Sequence, residues 1–406
     1  MVKGIHNYSE IGRLRKVLLH RIGPEVDGLV PDNFARLLFD DIPYLRVAQI
    51  EHDQFAKTLK KEGAEVIYYV DEAAKALAND EVRMQFLDDM LGEISFSSQG
   101  VREAVTAYLE GMDARTLVEK IIAGVRKDDI EGYKPRTLAE KIDEAYPFYM
   151  DPMPNMYFTR DQGACVGSGI SIHHMHTATR RRESLLLKYI YRFSPDFATP
   201  DNPMWFDYDD PHSIEGGDIL VLSDKICAVG LSERSTALGI ERFTQNLLTH
   251  SDYEKVLVFN IPKKRAFMHL DTVFTMVDYD KFTIHPEIEG PLQLYELTLG
   301  KGGEIKLKSM RERLPNALAK ELGLPSVELI RCGSDDPMAA QREQWNDGSN
   351  TLCIAPGKVI TYERNSVTND LLDKSGVTVL PMPSSELSRG RGGPRCMSCP
   401  VYREDI

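Results

Sequence analysis

The side chain with the greatest chemical potential in the sequence is Cys396, in a glycine-rich stretch near the C-terminus. It follows Gly392 and Gly393 and is flanked by Arg391 and Arg395. A thiolate is the nucleophilic form of cysteine, and neighbouring positive charge favours that ionised form. A flexible glycine loop can also bring the sulfur close to a bound substrate. The stretch therefore predicts a nucleophilic cysteine.

Four further polar residues supply what such a nucleophile needs. Asp161 closes the run Phe-Thr-Arg-Asp, Glu215 opens the run Glu-Gly-Gly-Asp, and His269 and Asp271 belong to the run His-Leu-Asp. Taken singly, each has an ordinary structural explanation, because aspartates often stabilise turns and histidines are often hydrogen-bonded in protein cores. Together they provide an acid–base group and several carboxylates, which is the composition of a candidate active site.

Repeated segments would position these groups. Residues 217–262 show the order strand, strand, helix, strand, and residues 352–380 repeat that order with matching turn and helix offsets. Three looser segments begin near residues 17, 157 and 269, and the later part of the last is predicted to be irregular because of its glycines. A period of roughly 45 to 60 residues indicates a propeller-like or solenoid array. A chance alternation of strands and helices is the alternative.

In such an array the polar groups would converge. Asp161, Glu215 and the pair His269 and Asp271 each precede the first strand of a segment, and Cys396 follows the last strand of the last segment. Equivalent positions in a ring of modules meet at one end of its axis. The sequence therefore predicts one pocket built from residues that are distant along the chain.

Residues 72–148 do not follow the repeat. They are rich in helix-forming residues and contain few strand-forming runs. We therefore predict a helical insertion between the first and second modules. The whole chain, residues 1–406, otherwise reads as a single α/β domain.

Composition restricts the class of partner. A chain of 406 residues with 42% hydrophobic and 27% charged residues is typical of a globular protein. Its net charge of −13 argues against a nucleic-acid partner; it suits a cationic substrate, although a charge that maintains solubility is the simpler explanation. The sequence has neither an apolar run long enough to cross a membrane nor a signal peptide, and its six scattered cysteines indicate a reducing cytoplasm. No cofactor is predicted.

The motifs, in this order, resemble those of the arginine deiminase family, within the guanidine-modifying pentein superfamily. The resemblance rests on the runs FTRD at 158–161, EGGD at 215–218, HLDTVF at 269–274 and GRGGPRCMSCP at 390–400. It extends to LRKVLLHR at 14–21 and LFDD at 38–41, so it covers nearly the whole chain. It implies an α/β-propeller of five pseudo-symmetric modules with a helical insertion.

The resemblance also implies hydrolysis of L-arginine by water to L-citrulline and ammonia. Cys396 would attack the guanidinium carbon and form a thiouronium intermediate as ammonia leaves. Asp161 and Asp271 would hold the guanidinium and localise its charge. His269 would protonate the departing nitrogen and then take a proton from the attacking water. Glu215 would orient His269 and raise its pKa.

For the other end of the substrate, the resemblance implies three groups around the α-carboxylate and one gate. Arg180 and Arg234 would bind the carboxylate, with Asn155 as a polar neighbour. Arg391, in the glycine-rich loop, would gate the pocket. The residue before the cysteine varies within the family, so the resemblance gives Arg395 no role.

A metal or redox site is the rival from another class. Cys396 and Cys399 have the spacing of a redox or zinc-binding pair, and His173, His174 and His176 could bind a metal. A structural zinc site usually needs a second pair of ligands, and none follows in the sequence. We therefore predict no metal site and a non-catalytic Cys399.

Two other interpretations of the sequence keep the protein within the pentein superfamily. A non-enzymatic binding protein of this fold would not require a nucleophile together with an acid–base set. Dimethylarginine hydrolases and amidinotransferases share the carboxylate clamp and the cysteine, but the helical insertion and the cysteine motif favour the deiminase. The sequence is compatible with a homo-oligomer without specifying one.

Overall fold

A three-stranded pattern recurs five times in the part of the chain that the structure, a computed structural model, describes: residues 3–142, 145–290 and 292–406. In each repeat a first strand pairs antiparallel with a second, and the second pairs parallel with a third that comes after an intervening helix. In chain order the strands are β1 (Leu14–Leu19), β2 (Glu65–Tyr68), β3 (Val125–Arg126), β4 (Phe148–Met150), β5 (Gly163–Val166), β6 (Gly169–Ile172), β7 (Met204–Phe206), β8 (Ile219–Val221), β9 (Ile226–Leu231), β10 (Lys255–Asn260), β11 (Phe274–Met276), β12 (Lys281–Ile284), β13 (Gln293–Leu299), β14 (Ile305–Met310), β15 (Glu328–Arg331), β16 (Leu352–Ala355), β17 (Lys358–Tyr362), β18 (Thr378–Met382) and β19 (Cys399–Arg403). The helices are α1 (Phe34–Leu37), α2 (Leu45–Lys61), α3 (Tyr69–Ala76), α4 (Asp80–Gly92), α5 (Gln99–Glu110), α6 (Ala114–Ala123), α7 (Leu138–Ile142), α8 (Ala178–Phe193), α9 (Ala237–His250), α10 (Pro286–Glu289), α11 (Leu314–Glu321), α12 (Pro337–Trp345) and α13 (Ser366–Lys374).

The two segments with the clearest sequence pattern have the predicted elements. Residues 217–262 form β8, β9, α9 and β10, and residues 352–380 fall in β16, β17, α13 and β18. The strands β8 and β16 are short, apolar and buried, as expected for strands covered on both faces. Helix α9 begins after Thr236, whose hydroxyl accepts a hydrogen bond from the backbone N–H of Gly239. The strand, strand, helix, strand order is therefore confirmed.

The segment predicted to be irregular is in fact a hairpin. Strands β13 and β14 pair antiparallel, and β13 pairs with β10, so that the sheet β8-β9-β10 gains two strands. The glycines that suggested irregularity are confined to the turn, where Gly303 has a φ of +84°. Pro291, which precedes the hairpin, lies outside the described residues.

Most of the stretch from residue 72 to residue 148 is helical. It contains α4 to α7 and the end of α3, together with the small sheet formed by β3 and β4; residues 143 and 144 lie outside the described part. The apolar faces of α3 to α6 share a core with α8, where Phe86 and Tyr189 meet edge to face with ring centroids 5.0 Å apart. In the described ranges, no helix combines the length and the apolar character needed to cross a membrane.

The C-terminal strand joins the first module, a pairing that was not predicted from the sequence. Strand β19 pairs antiparallel with β1, and β1 pairs parallel with β2. Leu18 and Cys399 are partners in this register. The turn that carries Cys396 therefore lies directly before a strand that is fixed against the N-terminal part of the chain.

Candidate active site

Three turns place the predicted catalytic residues at the starts of three sheets: Asp161 before β5, Glu215 before β8, and His269 and Asp271 before β11. The turns are bound to one another. The backbone N–H of Gly216 donates to the carbonyl of Asp161 at 3.2 Å. The carboxylate of Asp218 accepts from the backbone N–H of Leu270 at 2.8 Å. The three turns are thus held together by one backbone–backbone hydrogen bond and one bond from a backbone N–H to a side chain.

The side chains meet at one small cavity of about 80 Å³. Seven of the predicted residues line it: Asn155, Asp161, Arg180, Arg234, His269, Arg391 and Cys396. Glu215 and Asp271 are fully buried and lie directly behind this lining, in contact with His269 and Cys396 respectively. The structure therefore brings all nine predicted site residues together.

His269 lies between two carboxylates. Its Nε2 is 2.7 Å from Oε2 of Glu215, and its Nδ1 is 3.8 Å from Oδ1 of Asp161. Burial lowers the pKa of His269, but the carboxylates of Asp161, Glu215 and Asp218 outweigh burial and raise that pKa to about 9. The imidazole is therefore protonated at neutral pH and can donate a proton to a leaving group.

The thiol of Cys396 faces carboxylates rather than cations. Its Sγ lies 3.6 Å from Oδ2 and 3.9 Å from Oδ1 of Asp271. Burial, and then the charges of Asp271 and Asp161, raise the pKa of Cys396 well above the usual thiol value, and Arg395 offsets only part of this. Arg395 favours the thiolate, as the sequence suggested for nearby positive charge, but burial and the carboxylates that are close in space outweigh it and favour the thiol.

The glycines before Cys396 allow close packing rather than flexibility. A Cβ atom on Gly392 would lie 2.3 Å from the ring of Phe158, and one on Gly393 would lie 2.7 Å from the carbonyl oxygen of Asn350. The same Asn350 accepts from the backbone N–H of Cys396 through its Oδ1, at 3.0 Å. The nucleophile is thus held in a tightly packed turn, which corrects the prediction of a flexible loop.

Gly217 has an equally specific place beneath the catalytic histidine. A Cβ atom there would lie 2.7 Å from Cγ and Nδ1 of His269, well inside van der Waals contact. We expect Gly217→Ala to push the imidazole away from Glu215 and to lower kcat by about 100-fold, with little change in the far-UV circular dichroism spectrum. Gly111→Ala is the matched control, since nothing lies within 4 Å of a Cβ there. Equal kcat values for the two variants would contradict this role of Gly217.

Two of the arginines predicted to bind substrate contact catalytic carboxylates. Nη1 of Arg180 donates to Oδ2 of Asp161 at 2.9 Å, and its Nε and Nη2 donate to Glu183. Nη1 of Arg234 lies 3.7 Å from Oε2 of Glu215. Burial raises the pKa of Glu215, but Arg234 and His269 outweigh it and hold that pKa well below the usual range. Arg234 therefore helps to keep Glu215 ionised.

Asn155 and Arg391 lie at the mouth of the cavity. Nδ2 of Asn155 donates to the carbonyl of Leu37 at 2.7 Å. The guanidinium of Arg391 stacks 3.5 Å from the centre of the Trp345 ring and is 3.7 Å from a carboxylate oxygen of Asp40. Neither Nε nor Nη1 of Arg391 has a hydrogen-bond partner among the described residues. Arg391, although buried, is therefore held by a cation–π contact and a long ion pair rather than by hydrogen bonds from Nε and Nη1.

Three residues of the site, Arg395, Glu10 and Asn350, were not predicted from the sequence. Arg395 donates to Oδ2 of Asp271 at 2.8 Å and forms a buried ion pair with Glu10. Asn350 binds the backbone at both Cys396 and Asp271. Its Oδ1 accepts from the N–H of Cys396, and its Nδ2 donates to the carbonyl of Asp271, each at 3.0 Å. Arg395 could have been suspected from its place beside Cys396, but no sequence pattern connects Glu10 or Asn350 with the site.

The residues of the rival metal or redox site point in different directions. Sγ of Cys399 lies 3.6 Å from the carbonyl of Gly163, away from the cavity that Cys396 lines. His173 is buried against Ser171 and the carbonyl of Asp161. Within residues 3–142, 145–290 and 292–406, no group of three or more His, Cys, Asp or Glu side chains is arranged to hold a metal ion.

Comparison with known proteins agrees with this geometry. The sequence profile described as arginine deiminase matches residues 35–403. The chain belongs to the arginine deiminase family. It is 50% identical to the arginine deiminase of Clostridium perfringens over 98% of both chains, and 51% identical to that of Bacillus cereus over 99% of both. The arginine deiminase of Staphylococcus haemolyticus is 49% identical over 98% of both chains. As a member of the arginine deiminase family, the protein is a hydrolase that acts on C–N bonds.

Solved structures with much lower identity share the fold of this arginine deiminase family member. An amidinotransferase of saxitoxin biosynthesis from Microseira wollei superposes with a TM-score of 0.55 at 15% identity, covering 99% of this chain and 98% of that one. A dimethylarginine dimethylaminohydrolase from Pseudomonas aeruginosa, complexed with citrulline, superposes with a TM-score of 0.53 at 14% identity, covering 95% and 99%. The chain therefore has the α/β fold of the pentein superfamily.

Proposed function

We propose that the enzyme hydrolyses L-arginine to L-citrulline and ammonia through a covalent intermediate on Cys396. The observation that carries the proposal is the meeting of Cys396, His269 and the carboxylates of Asp161 and Asp271 around one cavity. A guanidinium is a poor electrophile because its charge is delocalised. Carboxylates on its nitrogens hold the cation and localise that charge, while the thiol and the imidazole supply nucleophile and acid.

The two carboxylates suit this clamp because each keeps one oxygen available. Oδ2 of Asp161 accepts from Arg180, while Oδ1 is buried without a hydrogen-bond partner among the described residues. Oδ2 of Asp271 accepts from Arg395 and lies 3.6 Å from the sulfur of Cys396, while Oδ1, 3.9 Å from that sulfur, is not bound to Arg395. A buried acceptor without a partner is costly, and the N–H groups of a guanidinium would remove that cost.

The reaction then proceeds in two halves. Binding of the cation beside Cys396 favours release of the thiol proton to solvent, and the thiolate attacks the guanidinium carbon. The tetrahedral adduct collapses as His269 gives its proton to the departing nitrogen, so that ammonia leaves and a thiouronium cation remains. His269 then takes a proton from water, and the hydroxide adds to the same carbon. Breaking the C–S bond releases citrulline and, after protonation, the resting thiol.

The substrate's amino-acid end would lie toward the mouth of the cavity. We assign Arg234 and Arg180, with Asn155, to the α-carboxylate; in this structure Arg180 is already bound to Asp161 and Glu183. A cavity of about 80 Å³ has room for only a few water molecules, so the site must open to admit arginine. Release of Arg391 from Trp345 is the opening that we propose.

The architecture that we propose is a five-module propeller formed by residues 1–406, with residues 72–148 as its helical insertion. Five sheets of the described residues contain the same three-strand unit. Pairing of β19 with β1 joins the last module to the first. Catalytic residues at the starts of the first strands would then face one end of the axis. The cytoplasmic location and the homo-oligomer stay predictions.

The test is to supply arginine, dimethylarginine and agmatine separately and to measure citrulline and ammonia. Arginine should yield both products in equal amounts. Agmatine lacks the α-carboxylate and should be a poor substrate if the arginines at the mouth bind that group. Absence of turnover with free arginine would contradict the proposed function, and faster turnover of dimethylarginine would favour the dimethylarginine hydrolase instead.

A further inference from the structure

Arg395 is a fully buried cation directly behind the reaction centre. Its Nη1 donates to Oδ2 of Asp271 at 2.8 Å, while Nε and Nη2 donate to the two oxygens of Glu10, each at 3.1 Å. Nη2 also donates to the carbonyl of Ile219 at 2.8 Å. The next residue, Cys396, faces the cavity on the other side of Asp271. Glu10, Arg395, Asp271 and Cys396 are therefore linked by a continuous series of side-chain contacts.

Glu10 is in turn fixed by the protein. Its Oε1 accepts from the backbone N–H of Val221 on β8 at 3.0 Å. Burial raises the pKa of Glu10, but Arg395, Arg160 and Arg403 outweigh it and lower that pKa to about 2. Arg395 is thus bound by a carboxylate that is ionised at neutral pH and is itself hydrogen-bonded to the backbone of β8.

The two clamp carboxylates have the same design. Arg180 holds one oxygen of Asp161 at 2.9 Å, and Arg395 holds one oxygen of Asp271 at 2.8 Å. In both cases a second buried carboxylate, Glu183 or Glu10, grips the rest of the guanidinium. A carboxylate held by one oxygen cannot rotate freely, so each arginine fixes the orientation of the clamp carboxylate that it holds.

We propose that Arg395, anchored by Glu10, is a positioning residue that holds the carboxylate of Asp271 beside the sulfur of Cys396, where the same carboxylate can bind the substrate guanidinium. The inference rests on the proposed function, because it needs a cation to be clamped between Asp161 and Asp271. It gives a role to a residue that the family resemblance leaves without one.

The role requires the planar fork of arginine. One guanidinium reaches Glu10 with Nε and Nη2 and Asp271 with Nη1; a lysine ammonium is a single centre and cannot span both carboxylates in this geometry. Arg395→Lys should therefore keep the buried positive charge but lose the alignment of Asp271. We expect its kcat/KM to fall by about tenfold or more.

Removal of the charge should also change the pH profile. The charged and titratable groups that interact with Asp271 are Arg395, Arg160, His269, Asp161, Asp347 and Cys396. Burial raises the pKa of Asp271, and Arg395 is the largest opposing charge. Without Arg395, Asp271 becomes protonated at a higher pH and loses its attraction for the guanidinium. The acid limb of kcat/KM should therefore move to higher pH.

The decisive experiment compares Arg395→Gln with the double variant Glu10→Gln/Arg395→Gln. The single variant leaves Glu10 buried without its partner and should unfold at a lower temperature. The double variant removes one charge of each sign and should regain thermal stability. We expect kcat/KM in both to be about 100-fold below wild type, with the acid limb shifted, because Asp271 has lost its holder in both.

Arg403→Gln is the matched control. Arg403 is as buried as Arg395, but its Nη1 and Nη2 donate to the carbonyls of Gly12 and Cys353, away from the cavity. It should lose stability without any shift in the pH profile.

The outcomes separate the inference from the function on which it rests. A stable double variant with the wild-type kcat/KM and pH profile would overturn the positioning role and leave the proposed function intact, as would Arg395→Lys with wild-type kcat/KM. Absence of citrulline from the wild-type enzyme would overturn the proposed function itself.

Discussion

Replacement of Cys396 by alanine is expected to lower the rate of citrulline formation by at least about 10⁴-fold, because the covalent route is lost with the sulfur. The protein should stay folded, since the change removes one atom beside a small cavity and leaves the backbone bonds of residue 396 to Asn350 and Arg160 in place. Citrulline and ammonia assays measure the loss. Mass spectrometry of wild-type enzyme quenched with arginine should show an adduct that the variant lacks.

Cys399→Ala is the control for this prediction. It deletes the same atom from a buried cysteine three positions away, whose sulfur faces the carbonyl of Gly163 rather than the cavity. Its activity should be close to that of wild type. If Cys396→Ala kept activity within about tenfold of wild type, Cys396 would have no place as the nucleophile.

Replacement of His269 by alanine is expected to lower kcat by roughly 10² to 10⁴-fold with little change in KM. The imidazole both protonates the departing ammonia and deprotonates water, and neither step can be completed without it, whereas the carboxylate clamp that binds the guanidinium is retained. Steady-state kinetics with arginine separate the two parameters. A raised KM with an unchanged kcat would assign His269 to binding instead. His285→Asn, which keeps a capping side chain at the start of α10, is a suitable control.

The pH dependence follows from the protonated state of His269. Its pKa of about 9 means that the proton donor is present at neutral pH and is lost as the pH rises through about 9. The basic limb of kcat/KM should therefore lie in that range. Glu215→Gln removes one of the charges that raise the pKa, so the limb should move to lower pH. A limb that stays in place would show that another group controls it.

The sequence was sufficient to predict which residues come together around the cavity, while their catalytic roles stay predictions. Short polar runs before the first strands of modules carry the acid, the base and the clamp, because the start of a strand is where a side chain can leave the sheet and reach a shared pocket. The buried strands β8 and β16 were recognisable from their apolar runs. The helical character of most of the stretch between residues 72 and 148 was visible for a similar reason: its apolar residues recur at helical spacing.

The electrostatic state of the site could not be predicted in the same way. Proximity in sequence suggested that Arg395 would favour a thiolate at Cys396, but its guanidinium turns toward Glu10 and Asp271. The groups that dominate the pKa of the thiol, after burial, are carboxylates from other turns. Their distances depend on tertiary packing, and no local pattern encodes them. The hairpin β13–β14 was missed because the glycines of its turn were taken to indicate irregular structure in the flanking segments as well.

The pairing of β19 with β1 has a consequence for how activity develops during folding. Strands near opposite ends of the sequence must find each other before the turn with Cys396 is fixed, and closing so long a loop carries an entropic cost that delays such contacts. We therefore expect Cys396 to be among the last residues of the site to reach its place during refolding. Recovery of catalysis after dilution from denaturant should lag behind recovery of helical circular dichroism, so that turnover reports completion of the whole fold.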